Sequence, residues 1–260
     1  MSKYNFKGQV SVITGGASGI GKAVAEAFAS NGSDIAILDI NKESASSLAA
    51  ELEDKFKINC SFYYCDISKY DSIKETCNNI IGEFGGVNNL ICAAGYGSRV
   101  SVESMDISEW ERAVDINLNG TFYIIHCLIN QMLVQEKGNI IVIGSATVVT
   151  GSGGGVHYAA SKTAQYGIVK GLSYELIARG IRANIITPHI IDTPMLRKRY
   201  PDTPDVNAKL ASRVPLGRIG KPSDIANIAL FLASDEAEYI CGAEIIADGG
   251  ALFYLNPSGR

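Results

Sequence analysis

The sequence predicts an α/β fold: a doubly wound parallel sheet of about seven strands, in a single domain over residues 1–260. Short apolar runs alternate with longer helical stretches along almost the whole chain, as in repeated βαβ units. The first unit is joined by a glycine-rich turn, Gly15-Gly16-Ala17-Ser18-Gly19-Ile20-Gly21. Asp66 and Gly95 sit just past the ends of apolar runs, where open parallel sheets bind ligands.

The elements follow in order. Val10 to Thr14 is a β-branched, apolar strand, and Ala23 to Ala29 reads as a helix with a stop at Asn31-Gly32. Asp34 to Asp39 is a second strand ending in an acid. Ser44 to Lys55 is a helix, Cys60 to Tyr64 a strand, Ile73 to Phe84 a helix and Asn89 to Ala93 a strand. Asp66 reads as a helix N-cap, a ligand contact, or both. Asp106 and Glu109 have the spacing of a capping box before a long helix running toward Leu133. Asn117 lies mid-helix in that segment, either facing solvent or serving the site. Asn139 to Ser145 is the most apolar strand, Thr147 to Gly155 a loop, and a helix beginning near Tyr158 leads to the strand Ile181 to Thr187. The segment 190–215 holds several prolines and the basic run Arg197-Lys198-Arg199, and reads as a substrate lid. Pro222 fits the first turn of a helix over Ser223 to Ala233, and Glu244 to Ala247 is the last strand.

Composition narrows the function classes. With 47% hydrophobic residues the chain can build a sizeable core. A net charge of −4 and the absence of a Lys/Arg-rich block argue against a nucleic-acid partner. No apolar run approaches the ~18 residues of a membrane span, and the first residues lack the apolar stretch of a signal peptide. Cys60, Cys65, Cys77, Cys92, Cys127 and Cys241 form no Cys-x-x-Cys pair and read as reduced thiols of a cytoplasmic protein. No metal centre is expected.

The chemistry sits in two places. In the glycine turn, missing Cβ atoms let a pyrophosphate approach the backbone, and the following helix N-terminus favours the anion. Asp39 lies 18 residues after Gly21, where an acid can bond an adenosine ribose and repel a 2′-phosphate. That position favours NAD over NADP. Further on, Tyr158 and Lys162 are four apart on one helix face. An ammonium beside a phenol lowers its pKa, and a tyrosine so tuned can give or take a proton at a carbonyl or alcohol oxygen. Alone, such a spacing most often marks plain helix surface. Ser145 has a rival reading as a hydrolase nucleophile, but Ile143-Gly144-Ser145-Ala146-Thr147 lacks the Gly-x-Ser-x-Gly elbow.

From Thr14 to Gly250 the sequence resembles the short-chain dehydrogenase/reductase family. The resemblance is carried by Thr14 to Gly21, by Ala93-Ala94-Gly95, by Asn117, Ser145, Tyr158 and Lys162, and by Pro188-His189-Ile190-Ile191-Asp192-Thr193-Pro194-Met195. It implies a Rossmann-type fold and a nicotinamide cofactor held by Gly15, Ser18, Gly19, Ile20 and Gly21. It further implies that Asp66 and Ile67 flank the adenine, that Ala93 and Gly95 border the cofactor, and that Ile191 and Thr193 hold the carboxamide. Tyr158 would be the general acid/base, Lys162 would lower its pKa and bond the nicotinamide ribose, Ser145 would bond the substrate oxygen, and Asn117 would hold a water linking Lys162 to solvent. Two departures stand out: Ala93 replaces the usual Asn, and His189 replaces the usual Gly after the proline.

The expected activity is an NAD-dependent oxidation of a small, polar secondary alcohol, or the reverse reduction, on a sugar, polyol or hydroxy acid. An anionic substrate would meet Arg99 or Arg197, and His189 is a further candidate contact. The alternatives are a 3-oxoacyl thioester reductase and a nucleotide-sensing protein without catalysis. The resemblance also implies a homotetramer assembled through the long helices over Ile107–Val134 and Tyr158–Ala178. His157 should point away from Tyr158.

Overall fold

The computed structural model describes residues 4–253. Seven parallel strands form one sheet in the order β3-β2-β1-β4-β5-β6-β7. They are β1 (Val10–Thr14), β2 (Asp34–Asp39), β3 (Cys60–Tyr64), β4 (Asn89–Cys92), β5 (Gly138–Ile143), β6 (Ile181–Pro188) and β7 (Glu244–Ala247). Strands β1, β4, β5 and β6 are buried along their whole length and are mostly apolar on both faces; the polar exceptions, among them Asn89, Asn139, Arg182 and Asn184, are hydrogen-bonded.

Helices cover both faces. One layer holds α1 (Gly19–Ser30), α2 (Lys42–Phe56) and α10 (Pro222–Ala233); Phe28, Leu48 and Leu230 fill the space against Ile13, Ile35 and Ile186. The other holds α3 (Tyr70–Phe84), α5 (Gly120–Gln135) and α7 (Gly155–Leu176), with Ile80, Leu128 and Val169 packed on Leu38, Leu90 and Val142. Cys60, Cys65, Cys77 and Cys92 are buried and unpaired. Burial raises the Cys60 and Cys92 thiols to about 12.

Two segments depart from the sequence expectation. The single long helix before β5 is instead α4 (Ile107–Ala113), a π-helical stretch Val114–Asn119, and then α5. The expected loop after β5 contains one helical turn, α6 (Thr147–Thr150). The segment 190–215 carries two short helices, α8 (Pro194–Arg197) and α9 (Pro204–Ala211). Each has a threonine N-cap, Thr193 or Thr203, and a proline in its first turn.

The strand order reverses between β1 and β4, and the loops following these two strands meet there. An ideal Cβ on Gly15 would lie 2.8 Å from the Ala94 Cα. A crevice outside the carboxyl ends of the strands, at such a switch point, is where open α/β sheets bind ligands.

Candidate active site

Every expected site residue lies on a strand end, on a segment that leaves the carboxyl edge of the sheet, or on a helix that begins at that edge or packs beside it. The glycine turn leaves β1 and enters α1. Gly19 has φ +53°, the left-handed region, and a Cβ on Gly21 would strike the Gly15 carbonyl at 2.2 Å. Ser18 stands at the N-cap without a side-chain capping bond, so first-turn N–H groups of α1 are left for an anion. The Gly19 Cβ position lies 3.4 Å from Thr193 Cγ2, so the glycine turn and the base of α8 flank the same crevice. These features fit a dinucleotide pyrophosphate.

Asp39 ends β2 beside this turn. Its Oδ2 accepts from the Ala17 N–H at 3.0 Å and its Oδ1 from the Asn41 N–H at 2.9 Å. The carboxylate is thereby fixed against the glycine turn, and the neighbouring Ile40 is exposed and apolar. Asp66 is not the N-cap of α3; that position belongs to Lys69. Asp66 instead folds its own turn, with Oδ1 accepting from the Ser68 N–H at 3.0 Å and the Ser68 hydroxyl at 2.7 Å. Ile67 is buried under α5, its carbonyl 2.5 Å from where a Cβ on Gly120 would be.

Ala93, where the family has Asn, offers no side-chain hydrogen bond, and the end of β4 is held through its backbone. The Ala93 and Ala94 N–H groups both donate to Thr14 Oγ1, at 3.1 and 3.2 Å. Thr14 thus ties the end of β4 to β1, a role its place at a strand end does not reveal.

Asn117 does not face solvent. It is fully buried in the π-helical stretch. Its Oδ1 accepts from the Tyr96 N–H at 2.8 Å, and its Nδ2 donates to the Tyr96 carbonyl at 2.8 Å and to Ser161 Oγ at 2.9 Å. Its own carbonyl accepts from Thr121 Oγ1 and Gln165 Nε2, both at 2.7 Å. Ser161 and Gln165 therefore belong to the site's framework. Their spacing along α7, one turn apart on the buried face, was the signal that could have found them.

Ser145 lies just beyond β5, where its Oγ donates to Thr147 Oγ1 at 3.0 Å and accepts from the Thr147 N–H at 3.2 Å. Among the described residues no histidine bonds it; His157 pairs with Ser98 instead. Lys162 is buried, donates to the Ile143 carbonyl at 2.8 Å and holds its Nζ 5.9 Å from the centroid of the Tyr158 ring. Gly95 sits between it and Asn117, its Cβ position 3.6 Å from Lys162 Nζ and 3.4 Å from Asn117 Oδ1.

The sequence argument for a lowered tyrosine pKa fails in this state of the chain. Burial pushes the Tyr158 phenol above its ordinary value, with the Ser145 side chain opposing. Burial also lowers the Lys162 amine to about 8. The ammonium is itself penalised by the interior, so it supports the phenolate less than a solvated cation would.

Tyr158 occupies a slot. A Cβ on Gly154 would lie 2.4 Å from Tyr158 Cδ1, and a Cβ on Gly97 would lie 2.8 Å from Cδ2. The ring is held between two loop segments that only glycine allows so close. Glu109 does not close the expected capping box: Asp106 makes no side-chain cap, and the Glu109 carboxylate accepts from the hydroxyls of Tyr96 and Ser98.

The candidate substrate contacts divide. His189 continues β6, its N–H donating to the Ala247 carbonyl at 3.3 Å. Its Nδ1 is buried with no hydrogen-bond partner, and burial lowers the imidazole pKa. Arg99 is exposed in the loop after Gly95. Arg197 is already matched: Nε and Nη2 grip the Asp192 carboxylate at 2.6 and 2.9 Å, and Nη1 donates to Asn207 Oδ1 at 2.7 Å. Its guanidinium ties α8 to α9, and no free charge remains for an anion. Arg199, in the basic run of the same segment, donates from Nη1 to the Gly153 carbonyl at 2.8 Å and leaves Nη2 buried without a partner. Ile191 forms a bridge with Gly220 and Thr193 caps α8, so both are held at the mouth of the crevice.

Comparison with known proteins agrees with this geometry. The family profile described as enoyl-(acyl carrier protein) reductase matches residues 15–251. The chain is 36% identical over 245 residues to a 3-oxoacyl-[acyl-carrier-protein] reductase of Thermotoga maritima, covering 94% of this chain and 98% of that one. It is 35% identical over 247 residues to a D-threitol dehydrogenase of Mycolicibacterium smegmatis, covering 95% and 94%. A crystal structure of a short-chain dehydrogenase/reductase described as a glucose/ribitol dehydrogenase, from Brucella melitensis, superposes with a TM-score of 0.88 at 30% identity, over 97% of this chain and 99% of that one. The sheet order and these full-length matches make this chain a member of the short-chain dehydrogenase/reductase family, an oxidoreductase acting on CH–OH groups with a nicotinamide cofactor.

Proposed function

We propose that the protein is an NAD-dependent dehydrogenase that interconverts a small polar secondary alcohol, of the sugar, polyol or hydroxy acid class, and its ketone. The observation that carries the cofactor preference is Asp39. Its carboxylate is pinned beside the glycine turn by the Ala17 N–H, with the apolar Ile40 next to it. A fixed negative charge there accepts ribose hydroxyls and repels a 2′-phosphate. The polar substrate class is supported by the strand end that carries His189, which continues β6 at the carboxyl edge of the sheet. The D-threitol dehydrogenase relative points the same way.

In this reading Gly15, Ser18, Gly19, Ile20 and Gly21 bind the pyrophosphate, Asp39 the adenosine ribose, and Asp66, Ile67, Ala93 and Gly95 border the adenine side and the crevice. Ile191 and Thr193 hold the carboxamide. The nicotinamide, when bound, supplies the hydride chemistry. Tyr158 gives its phenolic proton to the substrate oxygen in the reducing direction and takes it back in the oxidising one. Ser145 turns its hydroxyl from Thr147 to the substrate oxygen, and Lys162 is the buried cation beside the ring that favours the phenolate. Asn117, whose side chain and carbonyl are both engaged, keeps the π-helical stretch and Lys162 in register. The segment 190–215 acts as a lid, with Arg197 as its internal tie. Arg99 stands at its outer rim.

The full set of Asn117, Ser145, Tyr158 and Lys162 favours an enzyme over a sensor. Exposed apolar side chains on α4, α5 and α7, among them Ile107, Phe122 and Tyr174, support assembly into a homotetramer through those helices. Among the described residues no helix is long and apolar enough to cross a membrane, and the unpaired cysteines suit the reducing cytoplasm.

A second reading, reduction of a 3-oxoacyl thioester, is favoured by the Thermotoga maritima relative. One experiment separates them. The protein is mixed with NAD or NADP and a panel of polyols, sugars and hydroxy acids, or with NADH or NADPH and a 3-oxoacyl thioester, and cofactor absorbance is followed. Turnover of a polyol or hydroxy acid with NAD is expected. Preference for NADP, or thioester reduction faster than any alcohol oxidation, overturns the proposal. Asp39→Ala should raise KM for NAD by about tenfold or more, the weight of a lost charged hydrogen bond, and should narrow the discrimination against NADP.

A further inference from the structure

We propose that Glu109, Ser98 and His157 form a hydrogen-bonded brace that positions Tyr158 in its slot. The proposal rests on the reading of Tyr158 as the proton-transfer residue.

The slot has two walls, and only one belongs to the segment leading directly into α7. Gly154 precedes that helix, whereas Gly97 lies on the loop after β4 and must be held against the ring by other contacts. The residues on either side of Gly97 supply them. Tyr96 is fixed at its backbone by the Asn117 amide, and its hydroxyl lies 2.7 and 2.9 Å from the two Glu109 oxygens. Ser98 Oγ lies 3.0 Å from Glu109 Oε2 and 3.0 Å from His157 Nε2. His157 is fully buried in the first turn of α7, immediately before Tyr158. The chain Glu109–Ser98–His157 therefore runs from α4, across the Gly97 loop, to the residue that neighbours the tyrosine. The Arg112 guanidinium lies 4.2 Å over the Tyr96 ring and closes the outer side.

The proton inventory gives the brace a direction. The Tyr96 and Ser98 hydroxyls hold the Glu109 carboxyl below the usual carboxylate range, so it accepts only. Both hydroxyls must then donate to it. Ser98 has a single proton, which goes to Glu109, so its oxygen can only accept from His157. His157 must therefore donate from Nε2, and its Nδ1 makes no hydrogen bond. A branched aliphatic residue would fill the same volume but could not donate to Ser98. The brace thus predicts a requirement for a donor at position 157, not for bulk.

Two measurements test this. The first is kcat and KM with NAD and the fastest alcohol of the panel, for wild type, Tyr158→Phe, Ser98→Ala, His157→Leu and His157→Gln. The second needs no substrate: NMR titration of the Tyr158 phenol in protein labelled with ¹³C at tyrosine Cζ, the resonance assigned by Tyr158→Phe. Gln can present an N–H near the place of Nε2; Leu cannot. Ser98→Ala and His157→Leu should each lower kcat about tenfold, the scale of a sub-ångström misplacement at the reacting centre, with little change in the NAD Kd. Both should move the Tyr158 titration down toward that of an ordinary tyrosine as water enters the slot. His157→Gln should retain most of the wild-type kcat and titration. Equal behaviour of the Leu and Gln variants, or an unchanged Ser98→Ala in both measurements, overturns the brace. If Ser98→Ala does not fold, the Leu and Gln contrast decides alone. Full activity of Tyr158→Phe would instead remove the reading of Tyr158, while the titration still reports on the brace.

Discussion

Replacing Gly154 by alanine inserts one methyl group against the ring of Tyr158 and changes little else. Gly154 is the N-cap of α7, with φ −142° and ψ 9°, a conformation that L-residues adopt without left-handed strain. The effect is therefore steric. The new Cβ would lie 2.4 Å from Tyr158 Cδ1 and 2.5 Å from Cγ, whereas ordinary contact starts near 3.4 Å. The ring or the loop must give by about 1 Å, and a displacement of that size at a reacting group costs roughly 100-fold in rate, about 2.7 kcal/mol of barrier. Gly97→Ala brings a Cβ to 2.8 Å from Cδ2, a smaller overlap, and should cost about tenfold. Gly82→Ala is the control: it lies in the last turns of α3 with nothing within 4 Å, and should leave kcat unchanged while stabilising the fold by about 0.5 kcal/mol. The assay is steady-state kcat with NAD and the panel alcohol, paired with NAD affinity from a binding titration. A loss in kcat at constant NAD Kd, graded from Gly154 to Gly97, is expected. Wild-type kcat in Gly154→Ala would refute the view that the slot sets the position of Tyr158.

Two further outcomes follow from charge. Lys162 is held near 8 by burial, so between about 8 and its ordinary 10.5 the unfolded chain binds more protons than the folded one. Stability of the wild type should therefore rise with pH across that window. Lys162→Met should raise the urea midpoint at pH 7 by an amount worth up to about 3 kcal/mol, reduced by the unpaired Ile143 carbonyl, and this advantage should fade by pH 10.5; an advantage independent of pH would contradict the buried-amine account. Asp192 has its carboxyl held below the usual range by the Arg197 guanidinium. Its contribution is thus present above its unfolded pKa near 3.8 and lost as pH falls further. Asp192→Asn should lower the urea midpoint at pH 7, by at most about 1 kcal/mol for a partly exposed pair, and the gap to wild type should narrow progressively as pH falls below 3.8; a gap that does not change with pH would show that the Arg197 tie acts by packing alone.

Much of this architecture is legible in the amino-acid order because the determining forces are local. The five runs Val10–Thr14, Asp34–Asp39, Cys60–Tyr64, Ile181–Thr187 and Glu244–Ala247 match strands to within a residue. Their β-branched and aromatic residues favour strands, and glycine, proline and acids bound most of them, although β3 and β7 are partly exposed edge strands and β6 buries Arg182 and Asn184. Helix starts are less legible. Helix α1 begins at Gly19, four residues before Ala23, where the run of apolar helix formers starts, because the turn that admits an anion is also the first turn of the helix. Glu109 shows the limit of local rules: three residues after Asp106 it has the spacing of a capping box, yet its carboxylate pairs with Tyr96 and Ser98 from another loop. A long-range pair of donors outcompetes one backbone N–H.

The sequence by itself determined the fold class, the glycine turn, the acid at the end of β2, and the residue types and order of Asn117, Ser145, Tyr158 and Lys162. These depend on periodicity, φ preferences and spacing along single elements. Only the tertiary structure decided what surrounds them. It placed Asn117 inside a π-helical stretch, matched Arg197 to Asp192, pushed the Tyr158 phenol up instead of down, and pressed its ring between Gly97 and Gly154. Desolvation and close contact are properties of residues distant in the chain, and no spacing rule along one segment encodes them.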